Sequence, residues 1–225
     1  MKGEADRCLR IAFSTPIHLP GWLRDPVIMS IYALKPKFQN LLRPMVRGLH
    51  AAGITANQVT LLACALSMLL GLALYLFTER AALFYLLPLW FFLRMALNAI
   101  DGMLAREFGQ QSRLGGYLNE VTDIVADAML YLPFALLVPQ GALAVGVVIF
   151  LAALTETVGI LGQVHGNGRR YDGPVGKSDR AFVFGALGLW YAVTGSLGAW
   201  SLPFMWVLAA LLAFTCWRRL QRGLA

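Results

Sequence analysis

The stretch Ala51–Thr78, AAGITANQVTLLACALSMLLGLALYLFT, carries no charged side chain. It exceeds the roughly 20 apolar residues that cross a hydrocarbon core. Comparable apolar runs recur as far as Trp217, which predicts six spans at about 57–77, 81–104, 115–138, 142–163, 181–197 and 201–217. Backbone groups in lipid need partners within their own segment, and none of these runs shows the dyad alternation of a spanning strand. The expected fold class is therefore an all-α integral membrane protein of six transmembrane helices. Composition agrees: of 225 residues 58% are hydrophobic and 14% charged, and the mean hydropathy is +0.63. Those values exclude an ordinary soluble domain.

The nineteen Lys and Arg residues set an expected orientation. Eight precede the first span, and the rest cluster after the second, fourth and sixth, leaving Arg80 in the first outer turn and Arg94 within the second span. Short basic loops stay cytoplasmic, so both termini and the loops at 105–114 and 165–180 are expected there. The same rule and anionic lipid headgroups account for the net charge of +7, so no nucleic-acid partner is expected. Cys8, Cys64 and Cys216 show no paired metal spacing and imply no disulfide framework.

The first 26 residues lack the basic start and short apolar core of a signal peptide, and residues 1–30 are expected to be a cytoplasmic tail. From Ile31 to Leu49, Tyr32, Leu34, Phe38, Leu41, Leu42, Met45, Val46 and Leu49 alternate at helical spacing with Lys35, Lys37, Arg43 and Arg47. That pattern predicts an amphipathic helix on the cytoplasmic membrane surface. Residues 31–220 form the expected membrane domain and 221–225 a short C-terminal tail.

Ionisable residues inside apolar helices are expensive and usually mark function. At about 100° per residue, Arg94, Asn98, Asp101 and Ala105 share one face of the second span. The third span opens with Gly115, and in it Asn119 and Asp123 lie one turn apart while Glu120, Asp123 and Asp127 form a neighbouring stripe. Two polar faces can meet across this hairpin. Oxygen ligands without His or Cys suit a hard divalent cation, Mg, Mn or Ca, which in turn suits a pyrophosphate. Gly102, Ala105 and Gly115 would let a ligand approach the backbones, and Arg106 can stabilise phosphate charge. The competing reading makes these charges interhelical glue, with the carboxylates paired to Arg94 and Arg106.

The segment from Asn98 to Asp123 resembles the CDP-alcohol phosphotransferase signature, Asp-x2-Asp-Gly-x2-Ala-Arg-x8-Gly-x3-Asp-x3-Asp. Asp101, Gly102, Ala105, Arg106, Gly115 and Asp123 match it in residue and spacing, while Asn98 and Asn119 stand at the first and third acidic places. The run Ile54-Thr-Ala-Asn57-Gln-Val-Thr60 is similar to the family's entry into its first span, and the similarity covers most of residues 31–220. The resemblance implies attack of an alcohol hydroxyl on the β-phosphorus of a CDP-linked alcohol, commonly CDP-diacylglycerol in bacteria, with release of CMP. It implies one or two divalent cations held at Asn98, Asp101, Asn119 and Asp123, and proton abstraction by Asp123. It places Asn57, Asp101, Gly102, Ala105, Arg106 and Gly115 at the CDP group. It also implies a homodimer in a bacterial inner membrane, with membrane lipids around it.

Two amides in place of carboxylates predict weaker metal affinity, since an amide oxygen ligates without neutralising charge. Three outcomes stay open: two cations retained with help from Glu120 or Asp127, one cation, or loss of transfer. The last would leave a catalytically impaired relative that binds CDP-lipid as a regulatory or assembly partner. A transporter is disfavoured by the lack of an internal repeat. In the loop before the fifth span, Lys177 and Arg180 are expected, with Arg94, to bind the acceptor or a phosphate, whereas Arg169 and Arg170 need only enforce topology. Glu156 is read as a polar partner for Arg94 or for the site. The acceptor is a small polar alcohol, and the basic loop leans towards a phosphorylated one.

Overall fold

A computed structural model describes residues 26–224. The tail reading for residues 1–25 lies outside the described residues. Among those described, every regular element is helical. Helix α1 (Pro26–Ala51) is followed by α2 (Ala56–Leu76) and a 3₁₀ turn at Ala81–Tyr85. Then come α3 (Leu86–Glu107), α4 (Arg113–Tyr131), the one-turn α5 (Phe134–Leu137), α6 (Ala142–Val164), α7 (Lys177–Thr194) and α8 (Ser201–Leu224).

Four segments are long and apolar enough to cross a membrane: Ala56–Leu76, Ala81–Glu107, Ala142–Val164 and Ser201–Leu224. The expected third and fifth spans are also helices, but of a different make. Helix α4 ends at Tyr131 and resumes only after Pro133, and α7 opens on Lys177, Ser178, Asp179 and Arg180. Both carry the polar residues of the hairpin and loop, so length and hydropathy alone do not mark them as spans. Two boundaries also move. Helix α1 starts at Pro26 rather than Ile31, and α8 runs to Leu224, which puts Arg218, Arg219 and Arg222 on a helix rather than behind one.

Helix starts are set by local chemistry. Thr55 caps α2 in a reciprocal box with Gln58: the Gln58 amide donates to Thr55 Oγ1 at 3.3 Å and the Thr55 amide to Gln58 Oε1 at 2.8 Å. Ser112 caps α4 by accepting from the Gly115 amide at 2.9 Å. Helix α2 packs against α3 and α4, α3 against α7, and α6 against α8. The shared core is apolar and aromatic, with Phe84, Leu87, Tyr131, Phe134 and Phe184 fully buried and Tyr131 stacked on Phe184 at 3.8 Å between centroids. Outward, Leu62, Leu69, Phe92, Phe150, Phe182 and Trp206 are exposed. A soluble monomer rarely shows so continuous an apolar exterior, and with the four apolar helices it marks an integral membrane protein.

Candidate active site

Helices α2, α3 and α4 enclose a cavity of about 620 Å³ at their polar ends. On α3 the helical period brings Asn98, Asp101, Gly102, Ala105 and Arg106 to its wall; α4 adds Gly115, Asn119, Glu120 and Asp123, and the first turn of α2 adds Asn57 and Thr60. The α3–α4 connection is tied to α2 by Gln110, whose Oε1 accepts from the Ala56 amide at 2.7 Å. Every matched position of the signature therefore opens on one space, together with both asparagines.

Two glycines keep that space open. A Cβ on Gly102 would lie 2.9 Å from the Arg106 guanidinium, which folds back over the α3 backbone. A Cβ on Gly115 would lie 2.8 Å from Asn57 Oδ1 and 3.1 Å from Ser112 Oγ. Since Asn57 is the flexible end of a side chain, G115A is expected to fold normally while displacing Asn57 from the cavity wall. With Asn57 bonded to the CDP group, as the resemblance implies, losing that one hydrogen bond of about 1 kcal/mol would raise the donor KM roughly fivefold. Steady-state kinetics of purified G115A check this, and an unchanged donor KM would remove Asn57 from the donor site.

Asp101 is 5% exposed and accepts from Thr60 Oγ1 at 2.8 Å, a partner that sequence reasoning missed. Asp123 Oδ1 accepts from Arg94 Nη2 at 3.0 Å and from Asn98 Nδ2 at 3.3 Å, while Oδ2 pairs with Lys177. Arg94 also grips Asp127. Arg94 therefore braces α3 against α4, as the glue reading expects, and the carboxylate it holds, Asp123, is one that lines the cavity.

Asp101, Asp123, Asn98 and Asn119 line a common space and offer hard oxygen atoms as ligands, a set that suits Mg, Mn or Ca better than Zn. The set holds two carboxylates, and among the described residues no three His, Cys, Asp or Glu side chains converge. It fits one hard cation better than two. The two candidate substitutes stand elsewhere. Asp127 is buried between Arg94 and Arg180 and does not reach the cavity wall, and Glu120 reaches it but is paired with Arg169.

Arg180, expected to bind a phosphate, does not line the cavity. It is fully buried, bonded to Glu156 at 2.9 Å, Asp127 at 3.3 Å and Thr155 Oγ1 at 3.1 Å. Glu156 partners not Arg94 but Arg180, Arg169 at 3.2 Å and Arg219 at 3.6 Å. Arg169, read from sequence as a topology determinant, lines the cavity with Tyr171 and lies over its ring at 5.3 Å. Burial works against the Arg169 charge, but Glu120, Tyr171 and Glu156 raise its pKa above the ordinary arginine value.

A second hollow, of about 720 Å³, runs between α3 and α7. Phe91, Phe92, Met95, Phe182 and Leu189 make it apolar, and Arg94, Asn98 and Lys177 close its polar end. Asn98 lines both hollows and so marks their junction.

Comparison with known proteins matches residues 53–217 to the family model for CDP-alcohol phosphatidyltransferase. The chain is 46% identical over 194 residues to the inner membrane protein YnbA of Escherichia coli, covering 86% of this chain and 94% of that protein. It is 27% identical over 197 residues to the phosphatidylinositol phosphate synthase of Mycobacterium marinum, covering 81% and 79%. Among solved structures, the Mycobacterium tuberculosis phosphatidylinositol phosphate synthase with CDP-DAG bound superposes with a TM-score of 0.64 at 19% identity, over 80% of this chain and 92% of that one. The same enzyme in complex with manganese and citrate gives 0.66 at 20% identity, over 81% and 88%. Because the matched region contains every signature residue on the cavity wall, the chain belongs to the CDP-alcohol phosphatidyltransferase family and is a membrane-embedded CDP-alcohol phosphotransferase.

Proposed function

We propose that this enzyme moves a phosphatidyl group from CDP-diacylglycerol to a small polar alcohol and releases CMP. The observation that carries this reading is the junction at Asn98, where a polar cavity meets an apolar groove. A nucleotide head and acyl chains need adjoining polar and apolar places, and a soluble CDP-alcohol would have no use for the groove.

In this reading Arg106 and Asn57 orient the donor at the cavity wall, and the small residues Gly102, Ala105 and Gly115 admit it close to the helices. Asp123 takes the proton of the acceptor hydroxyl as that oxygen bonds to the donor's β-phosphorus, and the bond from that phosphorus to the bridging oxygen breaks as CMP leaves. Arg94 and Lys177 keep the Asp123 carboxylate aimed into the cavity, and Thr60 does the same for Asp101. Asp101, Asp123 and the amide oxygens of Asn98 and Asn119 would hold a divalent cation, which supplies neutralisation of pyrophosphate charge when bound.

We further place α4 with α5, and α7, across the bilayer, which makes six spans. Both termini and the cavity then face the cytoplasm of a bacterial inner membrane, with α1 along its surface and a homodimer as the working assembly. In α1, Met45 is half-exposed beside buried Leu42 and Val46, as a surface helix with lipid on one side would have it.

Incubation of the purified protein with CDP-diacylglycerol, Mg or Mn and a mixture of polar alcohols, followed by mass spectrometry of the lipids, tests this function. A new phosphodiester lipid is expected. Donor binding without any new lipid would instead support a regulatory CDP-lipid binder, the alternative that the two asparagines favour.

A further inference from the structure

Apart from Arg106, the cations around the cavity are already paired with carboxylates. Arg169 pairs with Glu120 and, at 3.2 Å, with Glu156. Arg180 and Arg219 converge on Glu156 as well, Arg180 and Arg94 share Asp127, and Arg94 and Lys177 hold Asp123. Five cations, Arg94, Arg169, Lys177, Arg180 and Arg219, are thus paired with four carboxylates, Glu120, Asp123, Asp127 and Glu156, while Asp101 is held by Thr60. Arg170, next to Arg169 in the basic loop, closes on Asp172 at 3.0 Å. Arg106 has no carboxylate partner among the described residues, and it lies against Gly102, on the wall assigned above to the donor.

A phosphate monoester would bring a charge of about −1.5 to −2 to this wall. Bound at Arg169, it would lie beside the partly buried Glu120 carboxylate, and two like charges at that range repel. An alcohol without phosphate meets no such conflict. A guanidinium has five N–H donors and a carboxylate about four acceptor positions, so the pair keeps spare capacity for hydroxyl groups while intact. Exposed Tyr171 adds a ring and a hydroxyl at the same rim.

We propose that the acceptor is an alcohol carrying no phosphate group, selected at the cavity rim by the Glu120–Arg169 ion pair and Tyr171. It rests on the transferase reading above and reverses the leaning of the basic loop, whose positive charge is spent on internal partners. Glu120 is the specificity device: its charge excludes a second anion next to the donor's pyrophosphate.

The test is CMP release by the purified full-length protein from CDP-diacylglycerol with Mg or Mn. Inositol, glycerol and serine are compared with inositol phosphate and glycerol 3-phosphate, in wild type, E120Q and E120A. In wild type, kcat/KM for the best non-phosphorylated alcohol is expected to exceed that for either phosphorylated one by about tenfold or more. Both variants are expected to narrow that ratio by a similar factor as Arg169 is freed. A wild-type preference for a phosphorylated alcohol overturns the proposal. So does a ratio unchanged in variants that retain activity. Should the variants fail to fold, competition decides: glycerol 3-phosphate is expected not to inhibit wild-type turnover at millimolar levels, and competitive inhibition there overturns the proposal. Absence of CMP with every alcohol would sink the transferase reading and this inference with it, an outcome distinct from CMP formed only with phosphorylated alcohols.

Discussion

D123N is expected to slow CMP release from CDP-diacylglycerol by about 10³-fold, the middle of the range that a positioned general base contributes. Asp123 is the carboxylate on the cavity wall held from three directions, by Arg94, Asn98 and Lys177. The substitution keeps the shape and removes the proposed proton acceptor. It also leaves Arg94 paired with Asp127, so the α3–α4 contact persists and the melting temperature in detergent should fall only slightly. A purified D123N protein that melts near wild type and turns over within tenfold of it would remove Asp123 from the base role. The chemistry would then have to be sought at Asp101.

E156Q is expected to have the largest effect on stability. Glu156 is a single buried carboxylate facing three guanidiniums, those of Arg169, Arg180 and Arg219, and it joins α6 to α7, to α8 and to the loop between α6 and α7. Removing its charge leaves those guanidiniums without their common partner. Breaking a buried pair in this way costs about 3–5 kcal/mol. At roughly 2–4 °C per kcal/mol for a chain of this size, the melting temperature should drop by about 10 °C. An internal comparison is E107Q, which breaks an exposed pair with Arg43 whose side chains are 39% and 36% accessible. Exposed pairs contribute about 0.2–1 kcal/mol, so E107Q should shift melting by about 4 °C or less. Equal shifts for the two variants would mean that the buried network does not brace the fold.

The contrast between these two glutamates shows what a sequence can and cannot convey. The apolar runs that became α2, α3, α6 and α8 were readable because length and hydropathy depend on neighbours in the chain. So was the face of α3 bearing Arg94, Asn98 and Asp101, since a helix repeats every 3.6 residues. The meeting of α3 and α4 across a short hairpin followed from the same local rules. Arg169, Arg180 and Arg219 were not readable in the same way. A cation near the end of an apolar run looks identical whether it holds topology, binds phosphate or closes a buried network. What separates these roles is Glu156 on α6 and Asp127 on α4, and those distant contacts leave no periodic trace. Thr60 on Asp101 escaped for a related reason, because a threonine in a helix ordinarily satisfies itself on its own backbone. Tyr171 carried no signal at all.

The two asparagines retain their place at the centre of the question. Both line the cavity, and Asn98 is bonded to Asp123, so the amides are built into the site rather than displaced from it. In the proposed mechanism two carboxylates remain on the ligand wall, and catalysis then turns on whether one weakly neutralised cation suffices. The most direct measurement is CMP release from CDP-diacylglycerol by protein stripped with a chelator and then titrated with Mg or Mn. The account predicts release that is nearly abolished after chelation and restored by either cation along a single-site titration curve. Release that ignores the cation, or that never appears at any cation concentration, would contradict it.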